Sequence, residues 1–425
     1  MTALLLILTA MKKTTGNTVR QQVWAELHKL FGKFIEGTNG WNYSKQSRWS
    51  STHVFQRLAQ AALENISLED VCTSFEGCSP DTVQYRLKGL DFNQTVKQIN
   101  NLLRYNAQGF QIHKNTILTI AVDVTDYPWY GNRDHELSVG SKEKAGTFFF
   151  NRYFTACILT KTYRIPIYVC PLRQEDGVSP YKLMKDLIRE INWWCPFSRV
   201  LADAWFFSKE LFDLLDLYNL EYLFNLKTQR IGKKKLEMIR ETQILLAKAK
   251  GIDKSDPMIF YKWLKKHRLL TFKFDSILTM RNNRRFPVVV QTVLVKRKKG
   301  RKPHKEYLDF YVYTTNISAS GEYLEDLYKL RWGIETQYRV THQFQAKTTS
   351  LCTNLRILLI GLSFVLTGLW LRVNLVLNRI KSQAHSVIDF DLPIKINIKD
   401  TLVLTVPRLK RIIQAIWWMK LGDEK

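Results

Sequence analysis

Thr116–Val124 reads TILTIAVDV, a run of β-branched and aliphatic residues broken by one aspartate. Such a run suits a strand buried on both faces of a sheet. Asp123 is the anomaly, because burying a lone carboxylate is costly. An acid at or near the carboxyl end of a buried strand points into the crevice where open α/β sheets bind ligands. The bland alternative is an aspartate that caps the next turn.

Downstream, GTFFFNRYFTACILT (146–160) and YRIPIYVC (163–170) are two more strand-like runs joined by a short Lys-Thr connection. SPYKLMKDLIREINWW (179–194) has a Ser-Pro start and helical spacing. SRVLADAWF (198–206) reads as a short strand, KELFDLLDLYNL (209–220) as a helix and EYLFNLK (221–227) as a strand. Three strands and then alternation imply a mixed sheet covered by helices. Asp203 closes the strand RVLAD, so a second acid stands at the end of a core strand. One such acid reads as a cap; two on one sheet point to function.

From about residue 228 to 305 the chain is strongly basic and strand-rich. LTFKFDSILTM (270–280), FPVVVQTVLV (286–295) and EYLDFYVYTTN (306–316) are strand-like, and seven of the ten residues in KRKKGRKPHK (296–305) are Lys or Arg. This loop reads as a hairpin tip that contacts phosphate through Lys296, Arg297, Lys298, Lys299, Arg301 and Lys302.

YKLRWGIETQYRVTH (328–342) follows. At about 100° per residue, Tyr328, Arg331, Glu335, Tyr338, Arg339 and His342 fall in one sector roughly 100° wide. Leu327, Leu330 and Ile334 form an adjoining apolar stripe. The expected helix lies on the sheet by that stripe and offers Glu335 to the crevice. Arg331, one turn earlier, orients that carboxylate or holds a phosphate. A solvated, salt-bridged face is the alternative, and it leaves the two tyrosines unexplained.

Upstream, residues 1–112 are helical in pattern. Ile66–Leu90 has helix–turn–helix form, with Gly77 in the turn, Ser79 as cap and Pro80 at the first helical position. The second helix would present Asp81, Thr82, Gln84, Tyr85, Arg86 and Lys88 to bases and phosphates. An ordinary helical hairpin has the same pattern.

The 425 residues carry 64 Lys+Arg against 38 Asp+Glu, a net charge of +26 spread along the chain. Nucleic acid is the default partner of so basic a folded protein, an anionic membrane the other. Six cysteines, none in a CxxC, read as buried thiols in a reducing compartment. Ala3–Leu8 is apolar, but Lys12 and Lys13 follow it rather than precede it, the wrong order for a secretory signal. Ile357–Leu371 is an uncharged run of 15 residues, short of the ~20 a membrane span needs and better read as a core helix. No membrane and a cytosolic location are expected. The tail ends in PRLKRIIQAIWWMK (407–420), an amphipathic basic helix.

Asp123, Asp203 and Glu335, converging from two strands and a helix, make an oxygen-only site suited to Mg²⁺ or Mn²⁺. Two ions about 4 Å apart activate a nucleophile and stabilise the leaving oxygen in phosphoryl transfer. These residues resemble the DDE-type insertion-sequence transposases of prokaryotes, in the branch marked by Tyr-x2-Arg-x3-Glu-x6-Lys. Here the signature reads Tyr328, Arg331, Glu335 and then His342 in place of Lys, with Lys347 one turn on as a substitute. AVDVTDYPWYG (121–131) resembles the first-Asp motif and LADAWF (201–206) the second. Asp126 is the rival first acid, set aside because it falls just before Tyr127-Pro128 in an expected turn.

The resemblance covers about Thr116–Leu371. It implies an RNase H-like α/β fold, with a mixed sheet flanked by helices and a β-rich insertion between the second Asp and the Glu. The expected divisions are a helical DNA-binding region 1–112, a catalytic core in two parts, 113–227 and 306–380, the insertion 228–305, and a basic helical tail 381–425. It implies Asp123, Asp203 and Glu335 as catalytic metal ligands, and Tyr328 and Arg331 on phosphates near the cut. The activity implied is hydrolysis at transposon ends and strand transfer into target DNA by a homodimer on terminal inverted repeats. A nuclease without strand transfer and a catalytically silent DNA-binding protein are the alternatives. Tyr127, Trp129, Tyr130 and Trp263 are candidates for base stacking, with core packing the commoner use of such rings.

Overall fold

The computed structural model describes residues 51–74, 78–110, 118–160, 163–173, 179–226, 233–279, 285–297 and 305–387. The apolar stretch at 3–8, Gly77, the basic residues Lys298, Lys299, Arg301 and Lys302, and the tail beyond Val387 lie outside the described residues.

Among the described residues nine strands form one sheet: β1 (Thr119–Trp129), β2 (Ser138–Lys144), β3 (Thr147–Leu159), β4 (Arg164–Pro171), β5 (Arg199–Ala202), β6 (Glu221–Asn225), β7 (Thr271–Thr279), β8 (Arg285–Arg297) and β9 (Lys305–Thr315). Their order is β2-β3-β1-β5-β6-β9-β8-β7, with β4 also on β3. β1 and β3 are antiparallel from Thr119↔Leu159 to Trp129↔Phe149. On its other side β1 runs parallel to β5 at Thr119↔Arg199 through Ala121↔Leu201, and β5 runs parallel to β6. Antiparallel strands followed by parallel ones with helical crossovers make the core RNase H-like. β9 then joins β6 antiparallel, so the strands after residue 270 extend the same sheet. The stretch before β7 carries two helices, α7 (Lys233–Ala249) and α8 (Pro257–Lys266).

Two expectations need correction. β1 runs on to Trp129, so Asp123 is mid-strand and Asp126 lies within the strand, not in a turn. The extension is possible because β3 keeps pairing with β1 after β5 has ended. β2 is a strand the sequence hides, since SVGSKEK has six consecutive exposed or half-exposed residues and little apolar alternation.

The helices before the sheet are α1 (Ser51–Glu64), α2 (Leu68–Ser74), α3 (Pro80–Lys88) and α4 (Phe92–Gln108); those within and after it are α5 (Pro180–Ile191), α6 (Lys209–Leu217), α7 and α8 as given, α9 (Gly321–Thr341) and α10 (Thr353–Val387). α5 shows why they pack: Met184, Leu187, Ile188 and Ile191 recur at helical spacing and are all buried. Each such side chain contributes about 1.5–3 kcal/mol on burial. α5 and α6 cover one sheet face, through a core that includes Ile120, Val122, Val200 and Ala202. α9 covers the other, against Ala121, Cys157, Leu201 and Leu223.

α10 is the axis around which the N-terminal helices pack. Asn354 donates to the carbonyls of Leu87 and Leu90 at 3.0 and 2.8 Å, and Asn106 to that of Val365 at 2.9 Å. A Cβ on Gly361 would sit 2.5 Å from Ile99, so glycine lets α10 and α4 approach. Thr353–Arg372 is long and apolar enough to cross a membrane, but 89% of its apolar window is buried inside the protein. It is a core helix, as its 15-residue uncharged run leads one to expect.

Candidate active site

The parallel register puts the two aspartates together. Ala121 pairs with Leu201 and Leu201 with Leu223. Two residues further along each chain stand Asp123, Asp203 and Asn225, and side chains two apart share a face. On the other side of β1, Thr155 pairs with Asp123. A row of polar residues, Thr155–Asp123–Asp203–Asn225, therefore crosses four neighbouring segments, one step beyond the apolar floor that supports α9.

α9 lies across this row. Arg331 Nη1 is 3.7 Å from Asp123 Oδ2, and its Nη2 donates to Glu335 Oε1 at 3.0 Å. Tyr338 Oη is 2.5 Å from Thr155 Oγ1, which donates to the Asp123 carbonyl at 3.3 Å. Tyr328 bonds to Asn225 and tilts against Tyr313 with ring centres 5.3 Å apart. Positions 328, 331 and 338 thus turn to the sheet, and Glu335 stands at the edge, paired with Arg331.

Each aspartate is held by its own backbone. Asp123 Oδ1 accepts from Val124 N, and Asp203 Oδ1 accepts from Trp205 N, both at 2.9 Å. Asp203 caps the short helical turn after β5, so the capping role and the site role coincide. Burial pushes the Asp123 carboxyl up to about 6 from 3.8, Arg331 and the Val124 amide oppose this, and Asp203 and Glu335 add to it. Burial works against the Arg331 guanidinium, but Tyr328, Asp123, Glu335 and Asp203 outweigh it and hold it above its usual value. Burial raises the Tyr328 phenol to about 12 and holds that of Tyr338 well above its usual value.

The three acids are electrostatically linked but not gathered into one cluster. Among the described residues no three His, Cys, Asp or Glu side chains are placed to hold a metal ion together. The Arg331 guanidinium stands between Asp123 and Glu335, and the Glu335 side chain is 54% exposed. The donor chemistry fits a hard divalent cation: all three candidate ligands are carboxylates, Asp123 and Asp203 each give one oxygen to a backbone amide, and the second oxygen of Asp123 faces Arg331.

Other expected residues fall in different places. Asp126 is on the opposite side of β1 and takes a two-pronged bond from Arg152, at 2.7 and 3.3 Å. Arg339 is exposed. His342 caps α9, bonds Gln345 at 2.8 Å and lies edge-on to Tyr127. Lys347 is exposed, and its backbone N donates to Ile66 O, tying this loop to the N-terminal helices. Lys296 and Arg297 end β8 opposite Glu306 and Lys305.

In α3, Ser79 caps through Thr82 N and Pro80 leads, as the sequence predicts. Lys88 and Tyr85 are exposed, but Gln84 accepts from Ser350 Oγ at 3.0 Å and is partly taken up in packing, as is half-buried Arg86. Trp129 is buried, and Trp263 packs with Phe260 and His267, so neither is free to stack on a base; Tyr130 is exposed, and Tyr127 is buried beside Tyr153. Sequence reading missed Thr155 and Asn225. Both look like ordinary strand residues, and only the register brings them beside the acids.

Residues 114–362, more than half of the chain, match the family model of the transposase DDE domain. The chain belongs to that family, whose members are transposases with nucleotidyl-transferase or endonuclease chemistry and typically use divalent metal ions. No curated protein matches the sequence. Among solved structures, a piggyBac transposase synaptic complex with hairpin DNA is 12% identical, with 82% of this chain and 72% of that one covered and a TM-score of 0.47. The Mos1 strand transfer complex is 12% identical (62% and 87% covered, TM-score 0.17). The Mos1 mariner paired end complex with Mn is 13% identical (62% and 88%, TM-score 0.17).

Proposed function

We propose that this chain is a metal-dependent DNA transposase that hydrolyses a phosphodiester at the ends of its own element and transfers the freed 3′ hydroxyl into target DNA. The observation that carries the reading is the register that sets Asp123 and Asp203 side by side beneath Arg331 and Glu335. Asp123, Asp203 and Glu335 would hold Mg²⁺ or Mn²⁺. When bound, the metal supplies an activated water and stabilisation of the leaving oxygen.

The chain's own residues do the positioning. Tyr328 and Tyr338 anchor α9 to the sheet, so Glu335 stands at a fixed height over the aspartates. Arg331 balances their charge and is within reach of a phosphate that displaces Glu335 from it. α3 and the basic loop near Lys296 supply the long-range attraction for the terminal repeats, with Arg339 and Lys347 nearer the cut. Two copies bring two ends together, in the cytosol of a prokaryotic cell.

The test is incubation of the full-length protein with duplex carrying the element's terminal repeat, with Mg²⁺, Mn²⁺ or EDTA. Cleavage at the element end with either metal and none in EDTA is expected. Pre-cut ends with a free 3′ hydroxyl should be joined to a plasmid target. Cutting without joining would leave a nuclease, and binding without cutting a DNA-binding protein.

A further inference from the structure

Arg331 is 7% exposed, and its guanidinium spans two acids from different elements. Nη1 is 3.7 Å from Asp123 Oδ2 on β1, and Nη2 is 3.0 Å from Glu335 Oε1 on α9. Asp203 also acts on its charge. Asp123 gives its other oxygen to the Val124 amide. The oxygen facing Arg331 is therefore the one left for a divalent cation shared with Glu335. Mg²⁺ holds carboxylate oxygens at about 2.0–2.1 Å in a near-ideal octahedron. A guanidinium and a dication cannot both stand between the same two oxygens, since they would overlap and repel.

The position is also one that Arg331 can leave. Its Nε is buried and has no hydrogen-bond partner among the described residues. The Asp123 contact, at 3.7 Å, is attraction between charges without a close hydrogen bond. Tyr328 adds a hydroxyl bond and a ring whose centre is 5.3 Å from Cζ. A guanidinium carries five donors in a planar fork, and a phosphate offers it two oxygens in matching geometry. Leaving the acids for a phosphate thus exchanges one close bond and one long contact for a two-pronged pair. The way out runs past Glu335, the exposed member of the set.

We propose that Arg331 is the resident cation of the DNA-free site: it holds the position between Asp123 and Glu335 until a phosphate of the bound strand draws it away, so that divalent metal and DNA load together. The inference rests on the transposase reading and gives Arg331 a second position besides its phosphate contact. Coupled binding is reciprocal: DNA tightens the metal by the factor by which the metal tightens DNA.

The test titrates the full-length protein with Mn²⁺ and reads the free ion by electron paramagnetic resonance, with and without a terminal-repeat duplex. A titration of the duplex alone is subtracted, and Asp123→Asn, which should lose the site in both states, identifies the ions held at the acids. The terminal-repeat duplex should tighten Mn²⁺ binding to wild type at least tenfold. Arg331→Gln should bind Mn²⁺ about tenfold more tightly than wild type when no DNA is present, and the duplex should then add much less. Phosphate oxygens that ligate the metal act in both chains, so the difference between the two duplex effects belongs to Arg331. Arg331→Lys keeps the charge that balances the acids, but one ammonium cannot span both; it should move in the same direction by a smaller factor, and it serves if the Gln variant does not fold. The opposite sign would overturn the proposal: DNA-free Mn²⁺ binding that Arg331→Gln and Arg331→Lys leave unchanged or weaken would mean that Arg331 only orients Glu335 for the metal. If wild type binds no more Mn²⁺ than Asp123→Asn even with the duplex, the metal-dependent transposase reading falls first and this inference with it.

Discussion

The two faces of β1 and β5 are built from alternate residues of the same short segments, yet they have opposite characters. One face carries Ile120, Val122, Val200 and Ala202 into an apolar core under α5 and α6. The other starts the same way, with Ala121 and Leu201, and then turns polar at Asp123 and Asp203. What differs is the covering helix. α5 brings Met184, Leu187 and Ile188 to its face, whereas α9 brings Arg331 and two tyrosine hydroxyls to the other. A carboxylate is tolerated on a buried strand when a cation and a backbone amide meet it. The apolar face sets stability, and on the proposed function the polar face gives up some stability for chemistry.

The largest test of this contrast pairs Asp203→Ala with Val200→Ala, three residues apart on opposite faces. Asp203→Ala should reduce end cleavage on the order of 10³-fold, the scale for removing a charge-stabilising group from a reaction site, with DNA binding retained in a gel-shift assay. Val200→Ala should do the reverse. It should cost about 1–3 kcal/mol of stability through the cavity it leaves, with the cleavage rate unchanged below the melting transition. Equal loss of cleavage in both would show that the faces do not divide the work.

A smaller effect concerns Asp123 without metal. Its carboxyl is raised from 3.8 to about 6, with burial as the main cause. Between those values the folded chain binds more protons than the unfolded one, so this group's contribution to stability falls as pH rises. Above pH 6 the cost of the buried charge is present in full. Asp123→Asn should therefore raise the melting temperature at pH 7.5 in EDTA by about a few degrees, and the gain should vanish below about pH 4. Adding Mg²⁺ should stabilise the wild type and not the variant. A variant that melts lower than wild type at pH 7.5 would mean that Arg331 overcompensates the burial.

Much of this was legible in the sequence, and the failures have physical causes. Thr116–Val124 announced a buried strand because apolar side chains on both faces leave an uninterrupted run, and Asp123 stood out against it. Asp203 was legible in the same way. The Arg331–Glu335 pair followed from helical spacing alone, since residues four apart on a helix must be neighbours. Strand length was not legible: whether β1 stops at Val124 or runs to Trp129 depends on β3, which is distant in sequence. Asp126 was misplaced in a turn for that reason, and its partner Arg152 is visible only through the antiparallel register. Helical spacing also put Tyr328, Tyr338 and His342 in one sector, but not which way the sector faces. The tyrosines turn inward to Asn225 and Thr155, while His342, at the helix end, stays exposed.

The smallest effect isolates that inward turn. Thr155→Val keeps the shape of the strand residue and removes the partner of Tyr338 Oη, a hydroxyl the structure buries. An unpaired buried hydroxyl costs about 1–3 kcal/mol, so the variant should melt slightly below wild type. Adding Tyr338→Phe should recover most of the loss, because both polar partners are then gone. If the bond only stabilises, cleavage by the double variant will equal that of wild type. If it also fixes the height of α9 over the aspartates, the double variant will regain stability but still cleave several-fold more slowly at saturating metal. The second outcome is expected, since Glu335 is less than one helical turn from Tyr338 and is itself half exposed, held among the described residues by Arg331.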